Sequence, residues 1–258
     1  MKISIATWNV NSVRPRMERI AEFLRRVPAD VLCIQELKCR TEDFPYDAFD
    51  ELGYNCAVNG QKTYNGVAVV SRLPIDDIRC GLGDTELDEQ ARLISAEIAG
   101  LRIYSAYVPN GSDMESEKYR FKLRWLTRLS EILEESHSAD EPVVICGDTN
   151  VIINDDDAND IVPWRTTGLA CDEVRLALQK VTDLGLVDVF RKINPEGGKF
   201  SWWDYRQLAF VHNIGLRLDH ILASRPLAEK LCSCVIDRES RKGQKPSDHA
   251  AVIAEFNI

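Results

Sequence analysis

The chain has 258 residues, of which 45% are hydrophobic and 28% charged, and its formal net charge is −9. This composition is ordinary for a soluble globular protein, and no apolar run reaches the roughly 18–20 residues that a membrane helix needs. The acidic balance taken alone argues against nucleic acid as a partner, because phosphate binding needs local Lys and Arg. A basic rim can nevertheless coexist with acids that bind divalent cations. The candidates for such a rim, each of which could also be an ordinary solvated face, are Arg14, Arg16, Lys118, Arg120, Lys122, Arg124, Arg238, Arg241, Lys242 and Lys245.

The N-terminal residues lead directly into a strand pattern, without the layout of a signal peptide. We therefore predict a cytoplasmic protein, nucleoid-associated in a prokaryote. The eight cysteines are then expected to be free thiols and not a disulfide framework. Cys232 and Cys234 have the wrong spacing for the usual zinc or redox pairs.

Strand-like and helix-like patterns alternate along the whole chain. Strand-like runs occupy 3–8, 30–35, 66–71, 93–98, 101–107, 142–147, 215–218, 221–223, 235–237 and 250–256. Apolar residues at helical spacing predict helices around 17–27, 119–133 and 174–184. The runs 93–98 and 101–107 have the pattern of an antiparallel hairpin. Because no linker or repeat divides the chain, we predict one mixed α/β domain over 1–258.

Polar side chains stand at the ends of several of these apolar runs. They are Asn9, Glu36, Asp148, Asn150, Asp219, Asp248 and His249. A polar group at the end of a buried strand is costly unless it has partners. The simplest interpretation is that these residues form one shared metal and acid–base site.

Three of these residues have chemistry that suits a phosphate ester. Glu36 offers a hard oxygen ligand for Mg²⁺ or Mn²⁺, although a surface glutamate ending a strand is equally compatible with the pattern. After Gly147, Asp148 can position or deprotonate a water, and Asn150 can donate a hydrogen bond to a phosphate oxygen. The alternative for this segment is a structural Asx-type turn.

The tripeptide Ser247, Asp248, His249 raises the question of a serine hydrolase. No Gly-x-Ser-x-Gly motif exists, and adjacent members of one tripeptide rarely point at one another. We predict instead that a remote carboxylate such as Asp219 orients His249. The other three histidines have no comparable setting. Tyr107, at the end of its strand, can donate to a phosphate oxygen or simply pack across a sheet edge.

Two unusual segments lie outside this set. The aromatic run 200–205 can stack on bases or line a pocket for a sugar lacking its base, while core packing is the default for one of its two tryptophans. The acidic run 154–160 begins like an EF-hand loop. Asp160 stands where glycine is needed and Thr166 where glutamate belongs, so a solvated acidic loop is expected.

Taken together, the motifs resemble the exonuclease III family of apurinic/apyrimidinic endonucleases, within the endonuclease/exonuclease/phosphatase superfamily. Nine segments carry the resemblance in the family's order: 8–11, 35–38, 60–68, 107–111, 147–150, 185–188, 201–206, 215–219 and 247–249. The resemblance implies an α/β (α+β) four-layer sandwich, in which two packed mixed β-sheets are flanked by helices. The site would lie at one edge of the sheets.

The resemblance also implies a role for each site residue. Glu36 looks like the principal ligand of Mg²⁺, for which Mn²⁺ can substitute, and Asn9, Asp248 and Asp148 or Asn150 would complete one or two metal positions. Asp148 would orient or deprotonate the attacking water, and Asn150 would stabilise the transition state. Asp219 and His249 would form a dyad at the phosphate, supported by Tyr107. The implied substrate-binding residues are Asn11, Lys38, Asn110, Trp202, Leu216 and Leu218, of which the last three match the pocket for a base-free deoxyribose.

The implied activity is that of a monomeric hydrolase acting on double-stranded DNA. It would cleave 5′ to abasic sites and trim nucleotides or blocking groups from 3′ ends. RNA or small phosphate esters as substrates, and a non-catalytic nucleic-acid-binding scaffold, are the alternatives. The chain departs from the family pattern at Ser12, Ala91 and Thr149. These departures bear on DNA affinity and not on the reaction type.

Overall fold

Two six-stranded β-sheets form the centre of the computed structural model, which describes residues 1–138 and 140–258. The first sheet has the spatial order β11 (Leu231–Asp237), β12 (Ala251–Asn257), β1 (Lys2–Asn9), β2 (Val31–Gln35), β4 (Val67–Ser71), β3 (Asn55–Asn59). The second has the order β5 (Asp76–Cys80), β6 (Leu93–Ile98), β7 (Leu101–Tyr107), β8 (Val143–Asp148), β10 (Asp219–Ser224), β9 (Leu186–Asp188).

Each sheet contains one parallel strand pair, which makes both sheets mixed. β1 pairs in parallel with β2, and β7 pairs in parallel with β8. A parallel pair needs a crossover connection, which is supplied by α1 (Met17–Arg26) in the first sheet and by α3 (Glu117–Ser136) in the second. Parallel strands end at the same edge of a sheet. The segments that follow β1 and β2 therefore leave from one edge of the first sheet, and those that follow β7 and β8 leave from one edge of the second.

Helices cover the outer face of each sheet. α1 buries Ile20, Phe23 and Leu24, which pack with the outward side chains of the first sheet. α3 and α4 (Asp172–Asp183) cover the second sheet. The remaining helices are short: α2 (Tyr46–Asp50), α5 (Val189–Ile193), α6 (Ala209–His212) and α7 (Arg225–Ala228).

A core of buried hydrophobic side chains fills the space between the sheets. Ile3 and Ile5 of β1 face this core, whereas Trp8 faces α1, as the period-2 alternation of a strand requires. Cys33 and Cys146 face it from β2 and β8. The order helix, sheet, sheet, helix confirms the predicted four-layer sandwich.

The antiparallel hairpin of β6 and β7 is confirmed, with Ile98 opposite Leu101 at its turn. The prediction of a strand at 215–218 is wrong. β10 begins at Asp219, which therefore starts a strand instead of ending one. The preceding segment makes isolated bridges, from Leu216 to Ala158 and Trp202. It forms no continuous ladder in the described chain because its backbone groups pair with separate segments, as when the Arg217 N–H donates to the carbonyl oxygen of Asp157.

The short strands β3, β5 and β9 were not predicted. All eight cysteines are free thiols. Over the described ranges, no helix is both long enough and apolar enough to span a membrane.

Candidate active site

Strand ends from both sheets meet at one edge of the sandwich. Asn9 and Glu36 lie at the ends of β1 and β2, and Tyr107 and Asp148 lie opposite each other at the ends of β7 and β8. β10 is antiparallel to β8, so Asp219, its first residue, pairs with Asp148. The start of one strand thus lies beside the end of the other, which places Asp219 at the same edge.

The backbone at this edge is unusual. Left-handed φ angles occur at Asn11 (47°), Glu36 (57°), Lys38 (53°) and Asn150 (49°). Such angles are uncommon for residues other than glycine and persist only where the surroundings fix them. Gly147, in β8, faces Ala106 of the neighbouring β7. Glycine is required there, because a Cβ would lie 1.8 Å from the carbonyl oxygen of Ala106.

Asn9 connects the carboxylates of the two sheets. Its Nδ2 lies 2.9 Å from Glu36 Oε1 and 2.9 Å from Asp148 Oδ2. One amide therefore holds two carboxylates that come from different sheets. The contact brings together three of the residues that the sequence analysis assigned to metal binding.

Glu36 is held by two further side chains. The Tyr107 hydroxyl donates to its Oε1 at 2.8 Å, and Lys38 Nζ lies 2.7 Å from its Oε2. Burial raises the pKa of Glu36, but the Lys38 ammonium and the Asn9 amide outweigh it and bring the pKa below its ordinary value. Burial and the charges of Glu36 and Asp148 hold the pKa of Tyr107 well above its usual range, so its phenol remains a donor.

Asp248 is fixed from two sides. Asn11 Nδ2 donates to its Oδ1 at 2.9 Å, and the indole of Trp202 donates to its Oδ2 at 3.1 Å. Asn11 Oδ1 in turn accepts from Lys38 Nζ at 2.7 Å. These bonds link the expected substrate-binding residues Asn11, Lys38 and Trp202 to the carboxylates of the site.

The predicted dyad is present in the structure. His249 Nδ1 lies 2.8 Å from Asp219 Oδ2, and its Nε2 lies 3.7 Å from Asp148 Oδ2. Burial lowers the pKa of His249, but the charges of Asp219 and Asp148 outweigh it and raise the pKa to about 10. Burial raises the pKa of Asp148 to about 7, against the lowering effect of the positive imidazolium.

The donor set of this edge fits a hard divalent cation. Ligand atoms of Asp148, Asp219 and His249 lie within 4.8 Å of one another, and all three residues are buried. Within the described part of the chain, Asp219 Oδ1 is buried without a hydrogen-bond partner. Carboxylate and amide oxygens in this arrangement match the preference of Mg²⁺ and Mn²⁺.

The Asn150 amide lies next to Asp148 but is turned toward the segment that follows β7. Its Nδ2 donates to Val108 O at 2.9 Å, and its Oδ1 accepts from Asn110 Nδ2 at 3.1 Å. Its backbone N–H donates to Asp148 Oδ1 at 3.0 Å. The structure thus joins Asn110, Asn150 and Asp148 in one chain of hydrogen bonds.

A cavity of about 460 Å³, lined by both polar and apolar residues, adjoins the edge at Trp202, whose indole binds Asp248. Trp202 and Leu216 line it, whereas Leu218 lies in the buried cluster that also contains Leu216. Trp203 is fully buried. One tryptophan of the aromatic run is therefore a core residue, as expected, and the other faces the cavity.

Three residues near the site have settings that the sequence did not indicate, and the expectation that Lys122 belongs to an exposed basic rim is wrong. The Arg92 guanidinium stacks over the Tyr107 ring at 4.6 Å from its centroid. Lys122 is fully buried behind Asn150, and its place between Tyr119 and Leu126 on the apolar face of α3 is a signal that could have identified it. His220, expected to have no special setting, is buried with Nδ1 2.8 Å from Thr149 Oγ1. Burial and the nearby Arg217 charge lower the pKa of His220 to about 4.

The prediction of a solvated loop at 154–160 is wrong for one of its acids. Asp157 is fully buried and accepts from Arg217 Nε at 2.7 Å and from Arg191 Nε at 3.0 Å. Arg217 Nη2 also donates to Asp188 Oδ2 at 2.7 Å. Burial raises the pKa of Asp157, but the Arg217 charge outweighs it and lowers the pKa to about 2. The acidic run is anchored by an internal ion-pair network.

The fold and this site define a member of the Endonuclease/Exonuclease/phosphatase family, and the chain belongs to it, with residues 6–249 matching the family model. It is 36% identical to the exodeoxyribonuclease III of Haemophilus influenzae, over 97% of this chain and 98% of that protein. The resemblance seen in the motifs is confirmed. The chain is a phosphodiester hydrolase of a metal-dependent nuclease family.

Solved structures agree with this assignment. An AP endonuclease from Archaeoglobus fulgidus superposes with a TM-score of 0.97 at 37% identity, covering 99% of this chain and 100% of that one. The 3′ phosphatase NExo from Neisseria, bound to a product DNA hairpin, superposes with a TM-score of 0.94 at 38% identity, with the same coverage of each chain.

Proposed function

We propose that this protein is a Mg²⁺-dependent DNA-repair phosphodiesterase that cleaves double-stranded DNA 5′ to abasic sites and trims blocked 3′ ends. The observation that carries the proposal is the convergence of Glu36, Asp148 and the Asp219–His249 dyad at one edge, next to Trp202. The names of the relatives support DNA as the substrate, since they are an exodeoxyribonuclease, an AP endonuclease and a 3′ phosphatase bound to DNA.

The dyad and Asp148 supply the acid–base groups. The hydrogen bond from Nδ1 to Asp219 fixes the imidazole ring of His249, so that Nε2 faces Asp148 across the site. In the proposed mechanism, His249 donates to an oxygen of the scissile phosphate and stabilises the charge that develops there. Asp148, held by Asn9 and by the backbone N–H of Asn150, orients the attacking water.

The oxygen-rich edge of the site is where we place the cation. Glu36, Asn9 and Asp248, with Asp148 or Asn150, would hold one or two ions. A bound Mg²⁺ supplies Lewis-acid stabilisation of the negative phosphate oxygens. Glu36 is bonded to Asn9, Tyr107 and Lys38, which fixes its carboxylate before any ligand arrives.

The cavity beside Trp202 gives the proposal its substrate. An apolar wall suits the deoxyribose of an abasic nucleotide, and Trp202 and Leu216 supply that wall. Asn11, Lys38 and Asn110 lie around the carboxylates, where they can contact neighbouring phosphates. All of these residues come from one chain, so we propose that the enzyme acts as a monomer.

A cleavage assay tests the proposal directly. The protein is incubated with a labelled duplex that carries one abasic-site analogue, and with a second duplex that ends in a 3′-phosphate, each with Mg²⁺ or with EDTA. We expect Mg²⁺-dependent incision 5′ to the analogue, release of the 3′-phosphate, and loss of both activities in Glu36→Gln.

Each other outcome changes a specific part of the proposal. Undiminished cleavage in EDTA would remove the metal and the role of Glu36. Release of 3′-phosphate without incision would restrict the enzyme to 3′-end trimming. Faster hydrolysis of RNA or of an inositol phosphate than of either duplex would move the substrate outside DNA repair.

A further inference from the structure

Lys122 is a fully buried charged residue that the mechanism above does not use. Its Nζ lies 2.6 Å from the carbonyl oxygen of Asn150, 2.7 Å from that of Gly168 and 3.3 Å from that of Asn110. An ammonium group has three N–H donors and no acceptor. Three donors thus meet three backbone oxygens, and no carboxylate in the described chain forms a salt bridge with Lys122.

The three carbonyl oxygens belong to three separate segments at the site. Asn110 follows β7, Asn150 follows β8, and Gly168 precedes α4. The first two segments are also joined through their side chains, because Asn110 Nδ2 donates to Asn150 Oδ1. Lys122 Nζ binds the backbone carbonyl oxygens of both asparagines, so one side chain of α3 connects the two segments a second time.

The geometry shows why a lysine occupies this position. Tyr119 and Leu126, three residues before and four after it on α3, are buried apolar contacts, and an uncharged side chain would fill the same face at lower cost. Gly111, which has a φ of +87°, makes room for the side chain, because a Cβ there would lie 2.9 Å from Lys122 Cδ. The feature that requires an ammonium is the set of three carbonyl oxygens.

We infer that Lys122 is a positioning residue for phosphodiester cleavage. Its bond to the carbonyl oxygen of Asn150 holds the backbone of that residue in the left-handed conformation (φ 49°). The Asn150 N–H then stays on Asp148 Oδ1 and holds the carboxylate that we propose orients the attacking water. The inference rests on the proposed function, since it assigns Asn150 and Asp148 to the reaction.

The test compares three variants of the whole protein. Lys122→Met keeps the volume but removes the donors, and Lys122→Arg keeps a charge with several donors. Leu129→Ala is the matched control, because it weakens the packing of the same helix without touching the three carbonyl oxygens. kcat and KM are measured on the abasic duplex well below each unfolding temperature, and Lys122→Met is repeated in an Asp148→Asn background.

We expect Lys122→Met to lower kcat by about tenfold to 100-fold with little change in KM, because a small displacement of a reacting group costs this much. Lys122→Arg should retain more activity than Lys122→Met, and Leu129→Ala should retain wild-type kcat. In the Asp148→Asn background, Lys122→Met should cost much less, because the carboxylate that Lys122 helps to position is already lost. Equal kcat in Lys122→Met and Leu129→Ala would overturn the inference, as would the same fold-loss in both backgrounds.

Amide hydrogen exchange separates this inference from the proposed function. Lys122→Met should speed exchange in the segment that contains Asn150 far more than Leu129→Ala does. If wild type leaves the abasic duplex intact, the proposed function fails, while this measurement still decides whether Lys122 fixes the segment. Unchanged exchange in Lys122→Met would reject the positioning role whatever the substrate.

Discussion

Two buried clusters of charged residues in this protein differ in how their charges are balanced. The first, called the catalytic cluster after the role we propose for it, consists of Glu36, Asp148, Asp219, Asp248 and His249. The anchoring cluster consists of Asp157, Asp188, Arg191 and Arg217. In the anchoring cluster two carboxylates face two guanidinium groups, and Asp157 accepts hydrogen bonds from both. In the catalytic cluster four carboxylates share one imidazole and the Lys38 ammonium.

The comparison shows how burial of charge serves two purposes. A buried ion pair with good geometry holds segments together, and breaking it leaves an uncompensated charge. An excess of buried carboxylates instead favours the binding of cations and raises the pKa of an imidazole placed among them. The raised pKa of His249 and the partnerless Oδ1 of Asp219 both arise from that excess. Charge balance therefore separates the two roles more clearly than depth of burial does.

The largest expected effect is on turnover, in the catalytic cluster. Asp148→Asn and His249→Ala should each lower kcat by at least about 10²-fold, as removal of an acid–base group does. Asp148→Asn removes one of several crowded negative charges and keeps the shape, so its unfolding temperature should equal or exceed that of wild type. Cleavage kinetics and thermal unfolding check this pair of outcomes. Near-normal turnover in both variants would contradict the assignment of the site.

The anchoring cluster should respond in the opposite way. Asp157→Asn leaves Arg217 and Arg191 without their shared carboxylate and should lower the free energy of unfolding by about 3 kcal/mol. For a chain of this size, that loss corresponds to a fall of roughly 6–12 °C in unfolding temperature. Turnover at a temperature where the variant is folded should remain within a few-fold of wild type. An unchanged unfolding temperature would show that the buried network contributes little.

Sequence patterns located most of the catalytic cluster because its residues terminate apolar runs. Glu36 and Asp148 follow strands whose burial is visible in the sequence, and His249 precedes one. Asp219 was placed in the right group but at the wrong end of a strand. Strand direction within a sheet is not encoded in local alternation, so only the antiparallel pairing with β8 explains its position.

The anchoring cluster and Lys122 were not predictable in the same way. Asp157 stands in an acidic run that resembles a solvated loop, and its partner Arg217 is 60 residues away. Lys122 binds backbone carbonyl oxygens, which every residue carries, so no residue type marks its partners. The buried setting of His220 was also not predicted, since its hydrogen-bond partner Thr149 lies 71 residues away in the chain. Long-range polar contacts appear only when the fold is known.

The smallest expected effect is a dependence of the free energy of unfolding on pH, which arises from Asp157 in the anchoring cluster. The pKa of Asp157 is about 2 in the folded protein, against an ordinary value of 3.8. A depressed pKa stabilises the fold at pH values above the ordinary value, and the contribution is lost as pH falls through the folded value. The contribution amounts to about 2 kcal/mol.

The difference in free energy of unfolding between wild type and Asp157→Asn should therefore shrink as pH falls from 5 toward 2. Urea unfolding at several pH values measures it, with the exposed neighbour variant Asp156→Asn as the control that should follow wild type throughout. A difference that stays constant with pH would mean that the Asp157 carboxylate is not held by its arginines, and the charge balance drawn between the two clusters would lose its support.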